Sequence, residues 1–317
     1  MRPGILLLAI LTAAPVAAQE FPARPLRIII GFPPGGAADL VARLLVPKLS
    51  DAFKQQVIID NRPGANGAIA SELTAKAQPD GYTMHLGTLA ALIISPAIAK
   101  VSYDPFRDFS PIGRTVALQN IFIAHPTLPV KNIRDLIELA RARPGKLNFA
   151  SSGTGSTGHL SGELLKTMAK MDMTHIPYKG GGPAMTDLLG GQVELFIAII
   201  STAVPHVQAG KARALAVTGD KRSAALPDVP TVDESGVKGY VSTNWYCLLG
   251  PANLPSPVVA RWNKEMTAAL NAPEIKQALF ERGIDAAPTS PAELTAYLRS
   301  ETAKWTKVVK ASNIKPD

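Results

Sequence analysis

Three glycine-rich turns hold the residues of this chain whose types and spacing could do chemistry. The first is Gly31-Phe32-Pro33-Pro34-Gly35-Gly36-Ala37-Ala38-Asp39, between the apolar run Leu26–Ile30 and a helical pattern. Strand, glycine turn and helix start together present free backbone N–H groups to an anion. The turn has no Lys or Arg, so charge recognition there would fall to the backbone and the helix dipole; an ordinary βα turn has the same pattern. The second is Ser151-Ser152-Gly153-Thr154-Gly155-Ser156-Thr157-Gly158-His159, where Gly153, Gly155 and Gly158 match G-x-G-x-x-G. That spacing is the dinucleotide fingerprint. The next expected strand, Thr174–Pro177, ends in Tyr178-Lys179 rather than an acid to hold a ribose, which argues against it. The alternative is a second helix start, rich in hydroxyls, offering N–H and O–H donors. The third turn, Tyr178-Lys179-Gly180-Gly181-Gly182-Pro183, sets a Tyr and a Lys at a strand's carboxyl end, where α/β sheets bind ligands. A plain loop with a solvated Lys179 is its bland counterpart.

Catalytic and metal chemistry find less support. A serine-nucleophile elbow needs Gly two residues before the serine, and Thr154 stands there for Ser156. The five histidines are His85, His125, His159, His175 and His206, and no two are spaced i, i+3 or i, i+4. His159 and Glu163 share a helix face at i, i+4, but no third ligand accompanies them, so no metal site is expected. Cys247, the only cysteine, lies in the apolar run Trp245–Leu249 and reads as a small buried side chain. Backbone donors with few acid–base groups suit binding better than chemistry. No cofactor is expected.

The elements that must position these turns alternate along the chain. Expected strands are Leu26–Ile30, Gln56–Asp60, Thr83–Gly87, Ile121–Ala124, Leu147–Ala150, Thr174–Pro177, Val193–Ile199, Arg213–Val217 and Trp245–Leu249. Expected helices are Ala37–Leu49, Ala68–Ala77, Ile133–Arg141, Gly158–Met168, Pro183–Leu189, Ala203–Ala209, Pro257–Ala272, Pro273–Arg282 and Pro291–Ser312. Strand–helix alternation with short loops means βαβ units, hence an α/β fold with parallel sheets. Ser256 and Ser290 precede Pro257 and Pro291 as candidate N-caps. Two stretches break the rhythm, Tyr103–Ile123 and Leu226–Gly250. Both read as long connections, suited to a chain that crosses twice between two lobes.

The N-terminus sets the compartment. Arg2 followed by the apolar run Gly4–Ala18, with Val16-Ala17-Ala18 before Gln19, reads as a signal peptide cleaved near Ala18/Gln19. The run falls short of the roughly 20 apolar residues of a membrane span. A single cysteine permits no internal disulfide, which fits a bacterial envelope protein. The formal net charge is +8 with 6% aromatic residues. The basic residues are scattered and not interleaved with aromatics, so no nucleic-acid partner is expected; a mild positive field drawing in small anions is the better reading.

At larger scale the motifs fall into a known order. Phe32-Pro33-Pro34-Gly35-Gly36-Ala37-Ala38-Asp39 resembles the opening of the substrate-binding receptors of tripartite tricarboxylate transporters, the Bug family. The resemblance continues through Asp60-Asn61-Arg62-Pro63-Gly64-Ala65-Asn66-Gly67, Pro79-Asp80-Gly81-Tyr82-Thr83, Ser151–Ser156, His175–Gly180, Asp187–Val193 and Leu226–Thr231, nearly the whole mature chain. It implies a two-lobed periplasmic binding protein type II fold, residues 19–120 plus 248–317 forming one lobe and 121–247 the other after a signal peptide over 1–18. It also implies a protein that binds a small organic carboxylate and hands it to membrane transporter subunits from the periplasm; a monomer is expected. Carried over residue by residue, Phe32, Gly35, Gly36, Ala37 and Asp39 form one ligand wall, with Gly87 and Thr88 from the third strand's end. The other lobe contributes Ser151, Gly153, Ser156, His159 and Tyr178, with Ile200 and Ser201. The chain departs from the family pattern at Ser95-Pro96-Ala97-Ile98 and at Cys247, where a Gly is common. Two other readings share the lobes: an exported hydrolase using Ser156 and His159, and a sensory module signalling to a membrane partner.

Overall fold

A computed structural model describes residues 21–312 of the chain; the expected signal peptide over 1–18 and its expected cleavage site lie outside the described residues. The first strand, β1 (Leu26–Ile30), is apolar and buried at every position but Arg27, as a strand covered on both faces must be. It pairs in parallel with β2 (Val57–Asn61) and β3 (Thr83–Thr88). The connections are α1 (Ala37–Phe53), which buries Val41, Leu45, Leu49 and Phe53, and α2 (Ala68–Ala75). After β3 the chain makes one wide helical turn over Ala90–Ile94 and the short helix α3 (Ser95–Ile98).

The next strand joins the two lobes. β4 (Phe109–Ala124) spans sixteen residues. Its first part, Phe109–Gln119, runs antiparallel to β9 (Thr243–Pro251), and its last part, Asn120–Ala124, runs antiparallel to β7 (Leu195–Ile199). The second lobe is built between these crossings from α4 (Ile133–Ala142), β5 (Asn148–Ser151), α5 (Thr157–Ala169), β6 (Thr174–Pro177), α6 (Gly181–Leu189), α7 (Ile200–Gln208) and β8 (Arg213–Val217). The chain returns along β9, which pairs with the first lobe's strands from Thr243 onward. It ends with α8 (Ser256–Asn271), α9 (Pro273–Phe280), β10 (Ile284–Ala286) and α10 (Pro291–Ser312). Strand order is β2-β1-β3-β9-β4-β7-β5-β6, with β8 and β10 also paired to β4. The architecture is α/β in two lobes, as expected, with a pair of cross-over strands.

Each lobe has its own core on either side of its strands. In the first, Leu45, Trp262 and Leu270 pack with β1 on one face, and Trp245, Leu298 and Trp305 fill the other. In the second, Phe122, Phe149 and Leu165 pack beneath α4 and α5, with Phe196, Leu188 and Val204 beneath α6 and α7.

Two expectations are corrected, and one helical stretch had no signal in the sequence. Tyr103–Ile123 is not a connection throughout: from Phe109 it is strand, disguised by Pro111, Gly113 and register shifts after Pro111 and Arg114 that break the period-2 pattern. Residues 90–98 are helical, and Leu89–Ile94 are all buried, so no amphipathic pattern announced them. Ser256 is the first residue of α8 and caps nothing with its side chain. Ser290 does cap: its Oγ accepts from Glu293 N while Glu293 Oε2 accepts from Ser290 N, a reciprocal capping box.

Candidate functional site

The two lobes enclose a cavity where four helices begin. Gly36, Ala37 and Ala38 at the start of α1 form part of its wall; Ser156 and Thr157 bring in α5, Gly181 and Gly182 bring in α6, and Ile199 and Thr202 bring in α7. Thr88 closes it from the end of β3, and Asn244 and Tyr246 from β9. Phe32, Phe196, Ile199 and Tyr246 give it an apolar body. None of the lining residues carries a charge. The starts of α1, α6 and α7 have no side-chain cap, so their first N–H groups are open to a ligand. Ser156 caps α5, its Oγ accepting from His159 N at 3.3 Å. Helix N-termini carry partial positive charge, and an uncapped set of them facing an otherwise neutral cavity is a receptor for negative charge. The cavity has a volume of about 40 Å³, room for about three waters. An outer groove of about 810 Å³ continues it past Phe32, Pro33, Asn66 and Ser152.

The first turn is held by a buried carboxylate. Asp39 is 2% exposed, and it accepts from Gly35 N at 3.0 Å, Arg43 Nε at 2.7 Å and Asn61 Nδ2 at 3.1 Å. Asn61 Nδ2 also donates to Phe32 O at 3.0 Å, tying both ends of the turn to β2. Burial raises the Asp39 pKa, but those hydrogen bonds and the Arg43 charge outweigh it and hold the carboxyl below its ordinary value. Gly35, at φ +80, supplies the left-handed bend.

A second set of struts holds the loop before α5. Ser151 Oγ accepts from Gly153 N at 3.1 Å and lies 2.7 Å from His175 Nε2. The His175 ring stacks on that of His159 at 3.7 Å with planes 6° apart, and His159 Nδ1 accepts from Gly155 N at 3.0 Å. Desolvation, then the His159 and Lys166 charges, push His175 down to about 3. Ser156 thus meets His159 through its backbone N–H rather than its ring, which does not arrange the two as nucleophile and base. At the lobe crossing, Thr157 Oγ1 donates to Asn120 Oδ1 at 3.1 Å and Asn244 Nδ2 donates to Thr157 Oγ1 at 3.2 Å. The start of α5 is thereby tied to both cross-over strands.

Of the expected site residues, Phe32, Gly36, Ala37, Thr88 and Ser156 line the cavity, and Gly153 and Tyr178 line the outer groove. The Tyr178 hydroxyl donates to Asp187 Oδ2 at 2.7 Å; burial and that bond raise it to about 12. Gly35, Asp39, Ser151 and His159 stand behind the wall as struts. Gly87 packs against Leu92 and Leu249, and Ile200 lies in the second lobe's core; Ser201 is buried beside it with its hydroxyl unpartnered. Residues the sequence reading did not single out are Asn66, Ser152, Thr157, Gly181, Gly182, Phe196, Ile199, Thr202, Asn244 and Tyr246. Ser152 and Thr157 lie in the second glycine turn, Gly181 and Gly182 in the third, and Asn66 in the Asp60–Gly67 stretch of the resemblance; the other five had no local signal.

Two α/β lobes, a double chain crossing and a cavity walled by helix starts define a two-lobed solute-binding protein. The model of the tripartite tricarboxylate transporter family receptor matches residues 41–314, and the chain belongs to that family. Among its relatives, Protein BugT of Bordetella pertussis is 33% identical over 317 residues, covering 98% of this chain and 96% of that protein. A protein from the tcbD-tcbE intergenic region of Pseudomonas is 36% identical over 292 residues, covering 92% and 87%. Among solved structures, R. palustris Rpa4515 with adipate superposes at TM-score 0.91 with 36% identity, covering 94% of this chain and all of that one. The periplasmic binding protein BugD does so at 0.88 with 33% identity and the same coverage. MatC from Rhodopseudomonas palustris, with bound malate, gives 0.86 and 31%, covering 91% of this chain and all of the other.

Proposed function

We propose that this protein is a periplasmic receptor that captures a small organic carboxylate between its lobes and delivers it to a tripartite tricarboxylate-type transporter in the membrane. The observation that carries the reading is the cavity itself, where uncapped starts of α1, α6 and α7 face a space with no charged side chain. Such a site favours an anion through backbone N–H groups and helix dipoles, and its apolar flank accepts the solute's carbon skeleton. The wall is formed by Phe32, Gly36, Ala37 and Thr88 from one lobe and Ser156, Gly181 and Thr202 from the other. Asp39, Ser151 and His159 act from behind by fixing the turns. Relatives bound to adipate and to malate support the carboxylate class. The narrow cavity supports a hinge mechanism in which solute enters the open form and closure buries it. Release to transporter subunits is a transfer of unchanged solute, so the protein has no catalytic role in this account.

The test is a thermal-shift screen of the mature protein against mono-, di-, tri- and aromatic carboxylates, amino acids and neutral sugars. A ligand at a hundred times its Kd adds about 2.7 kcal/mol. Stabilisation by one carboxylate class, with the solute recovered intact, is the expected outcome; a response to sugars alone overturns the carboxylate reading, and turnover of the solute overturns the receptor reading.

A further inference from the structure

Asn66 lines the cavity with both the donor and the acceptor of its side chain left over. Its Nδ2 and Oδ1 are both buried and neither has a partner. The other carboxamide of the wall, Asn244, is satisfied: its Nδ2 donates to Thr157 and its Oδ1 accepts from Trp245 N. Asn66 also holds a left-handed backbone, φ 54 and ψ 32, which glycine adopts freely and Asn more readily than most side chains. It stands at the junction of the inner cavity and the outer groove and lines both. Its amide reaches across to the second lobe, where a Cβ built on Gly155 would lie 3.3 Å from Nδ2. Packing places the amide there without satisfying it, so closure over an empty cavity buries a donor and an acceptor unpaired.

We propose that Asn66 reads a polar group of the solute across the cleft and couples its presence to lobe closure. This rests on the solute-receptor reading and adds to it the chemistry of the solute's second pole. While helix starts hold the carboxylate, a hydroxyl, carboxamide or second carboxyl group elsewhere on the solute meets the Asn66 amide. A solute lacking that group leaves the amide unpaired and is bound more weakly. The empty protein avoids the same penalty by staying open, where water solvates the amide.

The experiment compares wild type with Asn66→Gly, a change that suits the backbone conformation and removes only the carboxamide. The probes are straight-chain C3–C8 monocarboxylates, each with its hydroxy, ω-carboxamide and ω-carboxylate derivatives, titrated calorimetrically. In parallel, spin labels on Cys introduced at the exposed positions Ile58 and Met168, one per lobe, report the interlobe distance without solute. Wild type is expected to bind its best polar-substituted acid about tenfold or more tighter than the unsubstituted parent. Asn66→Gly erases that gap, leaves the parent acid's affinity within about twofold, and moves the solute-free population towards the short distance. An unchanged affinity ratio with an unchanged distance distribution overturns the proposal, as does a lowered melting temperature of the solute-free variant, which marks a structural residue. If no acid binds wild type, the carboxylate reading fails by itself, and the solute-free distances still decide whether Asn66 opposes empty closure.

Discussion

Replacing Asp39 tests whether the first turn is held by one buried carboxylate. The side chain is 2% exposed and accepts three hydrogen bonds, from Gly35 N, Asn61 Nδ2 and Arg43 Nε. Bonds to a charged acceptor contribute about 1.5–3 kcal/mol each, so the two to Gly35 and Asn61, taken at the low end because Asn61 Nδ2 also serves Phe32 O, amount to about 3 kcal/mol. The Arg43 side chain is 59% exposed, and solvent screening reduces that pair to about 1 kcal/mol or less. Asp39→Ala is therefore expected to lower unfolding free energy by about 3–4 kcal/mol, Asp39→Asn by roughly half, and Arg43→Ala by no more than about 1 kcal/mol. Denaturant titration measures all three. The pH dependence has a defined sign: the folded pKa lies below the unfolded 3.8, so the contribution is present above that pH and fades as pH falls towards the folded value. Solute affinity is expected to fall with the turn. A loss below about 1 kcal/mol in Asp39→Ala, or one equal to that in Arg43→Ala, would refute the strut.

Three further outcomes follow from the same geometry. Gly36→Val keeps an accessible backbone conformation, φ −75, but sets a branched side chain 3.3 Å from the Pro33 carbonyl oxygen on the wall of a cavity with only about 40 Å³ to spare; calorimetry should show solute binding reduced about a hundredfold or more, and unfolding should show a stability change near 1 kcal/mol. Burial lowers His85 to about 4, and burial with the His159 and Lys166 charges lowers His175 to about 3. The unfolded chain thus takes up these protons first, so denaturant midpoints should decline steadily as pH drops from 6.5 towards 4; a flat profile contradicts their neutral burial. Glu301 Oε2 accepts from both Trp245 Nε1 at 2.9 Å and Trp305 Nε1 at 3.0 Å. Glu301→Ala leaves two buried indole donors unpaired and should cost about 2–4 kcal/mol in a urea titration; a cost under about 1 kcal/mol would show that water takes their place.

The fold was largely legible because its strands are continuous apolar runs and its helices carry stops such as Gly145 and Gly210, both at positive φ. What escaped did so for local physical reasons. β4 hides behind Pro111, Gly113 and two register shifts, and Ala90–Ile94 is buried on all sides. The site was legible where one segment carries it: Phe32, Gly36 and Ala37 sit together in the first turn. Asp39 drew notice for the right turn and works behind it. Asn66, Phe196 and the β9 pair Asn244 and Tyr246 come from three separate elements far apart in sequence. Only the curl of the cross-over strands brings them to one cavity.

The most direct test of carboxylate capture by helix starts is a paired titration of the mature protein. The best-stabilising acid of the panel would be measured beside its methyl ester, which keeps the carbon skeleton and removes the charge. The account predicts tight binding of the acid and a loss of about a hundredfold or more for the ester, equivalent to about 2.7 kcal/mol. Equal affinity for acid and ester would contradict it, because a cavity that ignores the charge does not use the N–H groups that face it.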